Sequence, residues 1–267
     1  MVYFRTKLSK LTIPTLVLML ASACSTPHVR PALDVTSTRR VPSLIGRPNR
    51  LGQILLGRSV EDRPIHGHVF GSGNDSILIL ATIHGNEWAG TPLLMRLADH
   101  LATHPELVRG RRVVLIPVVN PDGYNRRRRY NANRIDLNRN FPAENRSNNR
   151  RNGKRALSEP ESRAIHEAIQ RYRPDRIVSI HQPVGCVDYD GPASALARAM
   201  ADASGMKVKR LGTRPGSLGS YAGNTLGIPT ITLELPGRAT RLDEDGLWEE
   251  YGPMLLVAIS AEDSSTK

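Results

Sequence analysis

Hydrophobic residues in this chain fall into two recurring patterns. Short, nearly continuous apolar runs predict strands near residues 64–70, 76–84, 112–119, 175–181 and 229–235. Between and after them, apolar positions recur at helical spacing and predict helices near 90–104, 158–172, 193–204 and 245–260. The last shows the period most plainly, with Leu247, Tyr251, Leu255 and Ile259 each four residues apart. Strands alternating with amphipathic helices imply an α/β domain built on a largely parallel or mixed central sheet. No internal repeat is visible.

The N-terminus departs from this pattern. Arg5, Lys7 and Lys10 precede an apolar run from Leu11 to Ala23, which ends in Ala21-Ser22-Ala23 before Cys24. A basic start, a short apolar stretch and small residues before a cut have the layout of a secretory signal, too short for a permanent membrane span. The last residues resemble a bacterial lipobox, which implies cleavage before Cys24 and acylation of that cysteine. Ala21 stands where a larger aliphatic residue is usual, so an ordinary secretory signal with another cut is the alternative. Ser25 resembles a sorting residue for the outer membrane. The expected location is therefore the bacterial cell envelope, lipid-anchored at the outer membrane and facing the periplasm. Residues 24–50 are rich in Ser, Thr, Pro and Arg without a period and read as a flexible tether, reaching roughly 25–30 Å as a coil. Residues 51–262 remain for a single catalytic domain, enough for a sizeable core. Cys24 and Cys186 are the two cysteines. An acylated Cys24 leaves no disulfide to form, and buried packing is the expected role of Cys186.

Candidate chemistry begins at the end of the run 76–84. His84-Gly85-Asn86-Glu87 places a nitrogen ligand and a carboxylate where open α/β sheets bind ligands, beyond the carboxyl end of a strand. His181 and Glu234 lie far downstream, each at the end of a further predicted strand. Two histidines, one carboxylate ligand and a separate carboxylate base are the parts of a hydrolytic zinc site, which takes three protein ligands and keeps a fourth position open. An HxxE pair alone is a short pattern that chance supplies; the other residues give it weight. His66, His68, His100, His104 and His166 lack such neighbours and read as surface or strand residues, and His28 falls in the tether.

A second block, Asn120-Pro-Asp-Gly123 followed by Arg129-Tyr-Asn-Ala-Asn and Asp136-Leu-Asn-Arg-Asn-Phe-Pro142, completes the pattern. With it the chain resembles the zinc metallocarboxypeptidases of the carboxypeptidase A type, and within them the murein peptide amidase branch, from about Gly67 to about Gly237. The resemblance implies a carboxypeptidase-like mixed eight-stranded sheet flanked by helices, one Zn2+ per chain held by His84, Glu87 and His181, and Glu234 as general base for a zinc-activated water. It implies that Arg129 polarises the scissile carbonyl and that Asn138 and Arg139 hold a substrate carboxylate. Each role has a physical reason. A fixed carboxylate can take and return a proton. Arginine stabilises an oxyanion without losing its charge. A forked guanidinium beside an amide suits bidentate carboxylate binding. Asp136 is expected to accept the free N–H of His84 and fix its tautomer. Arg129 sits in the run Arg126 to Arg129, so register alone selects it; solvated charge is the ordinary fate of such runs.

The branch implied is an amidase of peptidoglycan-derived peptides, cutting between γ-D-glutamate and meso-diaminopimelate. Leu211-Gly-Thr-Arg-Pro215 lacks the tyrosine that digestive carboxypeptidases place there, and Tyr221 falls in another register. Two alternatives stand beside this reading: a zinc carboxypeptidase or deacylase acting on other peptides or acylated amino acids, and a non-catalytic wall-binding lipoprotein. Net charge is +12, and Glu144 to Arg155 reads as a mobile basic loop near the site. A basic surface can serve nucleic acid. With 4% aromatic residues there is no base-stacking platform, and a secretory leader makes a carboxylate-rich wall polymer the better match. No nucleic-acid partner is expected; the expected partners are wall peptides and, through the lipid, the membrane.

Overall fold

The computed structural model describes residues 52–261. The expected signal, the tether and Cys24 lie outside them. Seven strands form one sheet: β1 (Gly52–Arg58), β2 (Pro64–Phe70), β3 (Asp75–Ala81), β4 (Arg111–Ile116), β5 (Arg176–His181), β6 (Cys186–Asp190) and β7 (Thr230–Glu234), in spatial order β1-β2-β4-β3-β5-β7-β6. The central four, β4, β3, β5 and β7, run parallel. β2, β1 and β6 are antiparallel to their neighbours and close the two sides.

The apolar runs are the reason for this arrangement. Ile77 to Ala81 in β3 and Val113 to Ile116 in β4 are wholly buried, as strands covered on both faces must be. One face packs against α1 (Gly90–Thr103), α4 (Ser194–Asp202) and α5 (Glu244–Ser260) through Leu93, Leu97, Leu101, Met200, Leu247, Tyr251 and Leu255. The other packs against α3 (Pro160–Tyr172), with Ile165 and Ile169, and against Leu137, Phe141, Leu218 and Tyr221 of the long connections. All four expected helices are present, and so are the five expected strands, with ends within three residues of those expected. β4 stops at Ile116 because Pro117 cannot donate to a ladder. Helix α2 (Pro121–Arg126) was not expected; Asn120 starts it, its side chain accepting from Gly123 N at 2.8 Å, with Pro121 in the first turn.

Two edge strands, β1 and β6, escaped the hydrophobic pattern, and the expected eighth strand is not found among the described residues. The nearest candidate, around Val208, makes one isolated parallel bridge to Val187, and the basic, Gly- and Pro-containing stretch after it leaves the sheet. No helix among the described residues is long and apolar enough to cross a membrane.

Candidate active site

Three parallel strands deliver the site. His181 is the last residue of β5 and Glu234 the last of β7, and the two are register partners, so their side chains leave the same face side by side. β3 ends at Ala81, three residues short of His84. Thr82 turns the chain out of the sheet with φ of 56° while its hydroxyl bonds Thr91 Oγ1 at 2.7 Å. The chain then passes Gly85, where a Cβ would stand 2.0 Å from the carbonyl carbon of Gly123. Only glycine allows this backbone-to-backbone approach. It brings the loop carrying Arg129 against the loop carrying His84 and Glu87, with Gly85 N donating to Arg129 O at 3.4 Å.

His84, Glu87 and His181 are buried, 3–6% exposed, and their donor atoms all lie within 4.8 Å of one another. Both Nδ1 atoms face the Glu87 carboxylate: His84 at 2.9 Å from Oε1, His181 at 2.8 Å from Oε2. The His84 contact is off line for a hydrogen bond, so its buried Nδ1 has no bonding partner. An orphaned ring nitrogen beside a buried carboxylate and a second imidazole is what zinc would satisfy, and the His2Glu donor set matches its preferences. The residues fit the metal.

Neighbours orient these groups. His84 Nε2 bonds Asp136 Oδ1 at 3.0 Å, and the Asn138 amide nitrogen stands 3.5 Å from His181 Nε2. Gln182 N donates to Glu87 Oε2 at 3.2 Å. Burial alone would lower the His84 pKa, but the bond to Asp136 and the close Glu87 carboxylate outweigh it and raise it. Burial would raise Glu87 and Asp136; the histidines outweigh it and hold both well below the usual carboxylate range. Glu234 shifts the other way, pushed up by burial and by the charge of Glu87 against the pull of His181. Two carboxylates in one site are thus driven apart, the arrangement that separates a ligand from an acid–base group.

The four consecutive arginines have separate fates. Arg126 pairs with Glu61, Arg127 lies 4.8 Å over the rings of Trp88 and Tyr124, and Arg128 lines an open cavity. Arg129 alone reaches the site, bonding Asp136 Oδ2 through Nε and Nη2 at 3.1 and 3.0 Å and Glu87 Oε1 through Nη1 at 3.1 Å. Asp136, Asn138 and Arg139 belong to one short 3₁₀ turn. Asn138 Oδ1 accepts from Leu218 N at 2.8 Å, which ties that turn to the π-helical segment Gly219–Thr225. Half-buried Arg139 bonds its neighbour's carbonyl and has no carboxylate within ion-pair distance among the described residues. Burial and the nearby charges of Arg129 and Arg214 lower its pKa, with Asp136 opposing.

The structure therefore brings His84, Glu87, His181, Glu234, Arg129, Asp136, Asn138 and Arg139 together, and places Tyr221 elsewhere, buried with its hydroxyl 2.9 Å from His166 Nδ1. Cys186 is buried, as expected, and is the register partner of Glu234. The basic loop is braced rather than free of bonds: Arg146 donates to the carbonyls of Asn152 and Gly153, and Asp136 N donates to Arg151 O. Reasoning from sequence assigned no role to Gly85, Gln182 or Arg214, whose parts in the site come from contacts between distant segments.

Residues 45–190 match the model of the zinc carboxypeptidase peptidase family. The chain belongs to that family. It is a hydrolytic enzyme whose cofactor is zinc. Murein peptide amidase A of Escherichia coli K12 is 36% identical over 183 residues, covering 62% of this chain and 73% of that protein. Its namesake from Vibrio campbellii is 30% identical over 220 residues, covering 76% and 84%. The crystal structure of murein-tripeptide amidase from E. coli O157 superposes with a TM-score of 0.65 at 29% identity, over 79% of this chain and 94% of that one. Bovine thrombin-activatable fibrinolysis inhibitor shares the fold, with a TM-score of 0.66 at 21% identity, over 78% and 88%.

Proposed function

We propose that this family member hydrolyses murein peptides at the amide bond between γ-D-glutamate and meso-diaminopimelate. The observation that carries the reading is Arg139, a half-buried guanidinium beside the metal ligands whose charge no carboxylate meets among the described residues. It calls for a substrate carboxylate next to the scissile bond, which diaminopimelate supplies. The relatives named murein peptide amidase support that choice among carboxylate-bearing leaving groups.

Zinc held by His84, Glu87 and His181 supplies a Lewis acid that polarises the scissile carbonyl and lowers the pKa of a water. Glu234, on the strand beside His181, takes a proton from the attacking water and returns it to the leaving nitrogen as the C–N bond breaks. Arg129 uses three of its five N–H donors on Asp136 and Glu87 and has two left for the carbonyl oxygen as it gains charge. Arg139, with the Asn138 amide beside it, holds the carboxylate of the leaving residue.

Arg126, Arg128, Arg134, Arg150 and Arg151 line an open cavity of about 740 Å³ beside the Arg129 loop, which suits an anionic wall polymer. A lipid on Cys24 would keep the enzyme at that polymer, in the cell envelope. The deciding experiment incubates the soluble domain with defined muropeptides and weighs the products. Release of free diaminopimelate-containing peptide from γ-D-glutamate is expected. Removal of ordinary C-terminal residues with that bond left whole would overturn the reading.

A further inference from the structure

Two histidines outside the active site meet at the C-terminal end of α1. His100 stands in the helix's last turn, and His104 caps it with a backbone that leaves the helix, φ −128° and ψ 71°. Their rings stack with centroids 4.1 Å apart and planes 25° from parallel. Positions four apart share one helix face, so the spacing His-Leu-Ala-Thr-His brings the rings together. The helix starts at Gly90, just after the loop that carries Glu87. His100 lies roughly 15 Å further along its axis, so the pair is separate from the catalytic ligands.

The surroundings fix the histidines as ligands. His104 Nδ1 lies 2.9 Å from His100 O. A carbonyl only accepts, so Nδ1 carries the proton and Nε2 keeps a lone pair. Metal-binding histidines are commonly held this way, their second nitrogen donating to a backbone carbonyl or a carboxylate. His100 is wedged between His104 and Trp248 of α5, whose ring stands 4.8 Å away at 45°. Burial, His104 and Arg96 push the His100 pKa down against the pull of Glu106, which leaves its ring neutral at pH 7. Arg96 itself pairs with Asp245 at 3.4 Å, which offsets its repulsion of a cation. Glu106 is exposed in the 3₁₀ turn Pro105–Val108, near enough for its charge to act on His100.

We propose that His100 and His104, with the Glu106 carboxylate, form a second site for a divalent transition-metal ion. Two imidazole nitrogens and a carboxylate suit Cu2+, Ni2+ and Zn2+, and the general order of affinity places Cu2+ first. Magnesium and calcium take oxygen ligands and are excluded. Bonds of about 2.0–2.1 Å hold two nitrogen ligands roughly 3 Å apart. Rings stacked at 4.1 Å reach that separation with a small tilt. The two histidines are only part-buried, so this site is weaker than the buried set of His84, Glu87 and His181 and fills after it. A bound ion ties the end of α1 to the turn that leads into β4.

The test titrates Cu2+ into the zinc-loaded protein, with free copper fixed by equilibrium dialysis and the bound ion followed by electron paramagnetic resonance. Wild type should take up one ion beyond the catalytic zinc, with the signature of imidazole nitrogen coordination. His100→Ala and His104→Ala should each weaken that uptake by roughly 10–100-fold or more, since losing a ligand costs no less than losing a ligand's partner. Glu106→Gln should weaken it several-fold. Zinc content and Tm without copper should match wild type in His104→Ala and Glu106→Gln, which carry the test if His100→Ala fails to fold for want of its packing on Trp248. Excess Zn2+ should compete for the site less effectively than Cu2+. No uptake beyond the catalytic zinc, or an extra ion held equally by wild type and His104→Ala, overturns the proposal. Neither readout depends on which peptide the enzyme cleaves.

Discussion

At the scale of single residues, the two directions in which the site's carboxylates are driven divide their work. Glu87 is held charged by two imidazoles, whereas Glu234 is pushed toward its proton. Glu234→Gln should therefore keep zinc and fold and lower kcat by roughly 10²–10⁴-fold, because an amide cannot take the water's proton; metal analysis beside steady-state rates checks it, and near-normal turnover with zinc bound removes Glu234 from the reaction. Asp136 holds His84 by its far nitrogen and Arg129 by its fork. Asp136→Asn should weaken zinc binding by roughly 10–100-fold, the usual cost of losing such a partner, measured by competition with a chromogenic chelator. The ligands and the base were legible in the sequence because their chemistry restricts residue type and each ends or follows a strand. What was not legible lies in contacts between distant segments. Asn138 is tied to Leu218 eighty residues away, and Gly85 matters only because Gly123 backs onto it.

Among elements, the interior of the sheet was readable and its margins were not. β3 and β5 are buried on both faces, so their apolar runs declare them. β1 is half-exposed with an irregular register between Leu55 and Gly57, and β6 reads Cys-Val-Asp-Tyr-Asp, which no hydrophobic count would select. The π-helical segment Gly219–Thr225 was equally silent, since it is fitted to its surroundings rather than to a period of its own. Its fit can be tested. At Gly223 an added methyl would meet the Cβ of Asp190 at 2.5 Å and its carbonyl carbon at 2.7 Å, neither of which can rotate away. Gly223→Ala should cost about 1–3 kcal/mol, the range for overpacking a closed site. Urea unfolding should show a lower midpoint with an unchanged slope; an unchanged midpoint would mean that the segment sits more loosely on β6 than these distances require.

For the whole molecule, the metal joins parts of the chain that the sheet alone holds only at their ends. His84 and Glu87 come from the connection after β3, and His181 comes from the end of β5, almost a hundred residues later. The domain's core does not depend on the metal, since both faces of the sheet are packed with apolar side chains. Zinc should therefore add stability by mass action rather than switch folding on: a ligand at a hundred times its Kd contributes about 2.7 kcal/mol when it binds only the folded state. For a domain of this size that is a rise in Tm of roughly 5–10 °C. Calorimetry of chelator-stripped protein with and without added zinc should show a cooperative transition in both and a shift of that order. His181→Ala should unfold cooperatively too, but its Tm should hardly respond to zinc. A zinc-dependent shift of equal size in that variant would mean that the metal binds the folded chain somewhere other than between His84, Glu87 and His181.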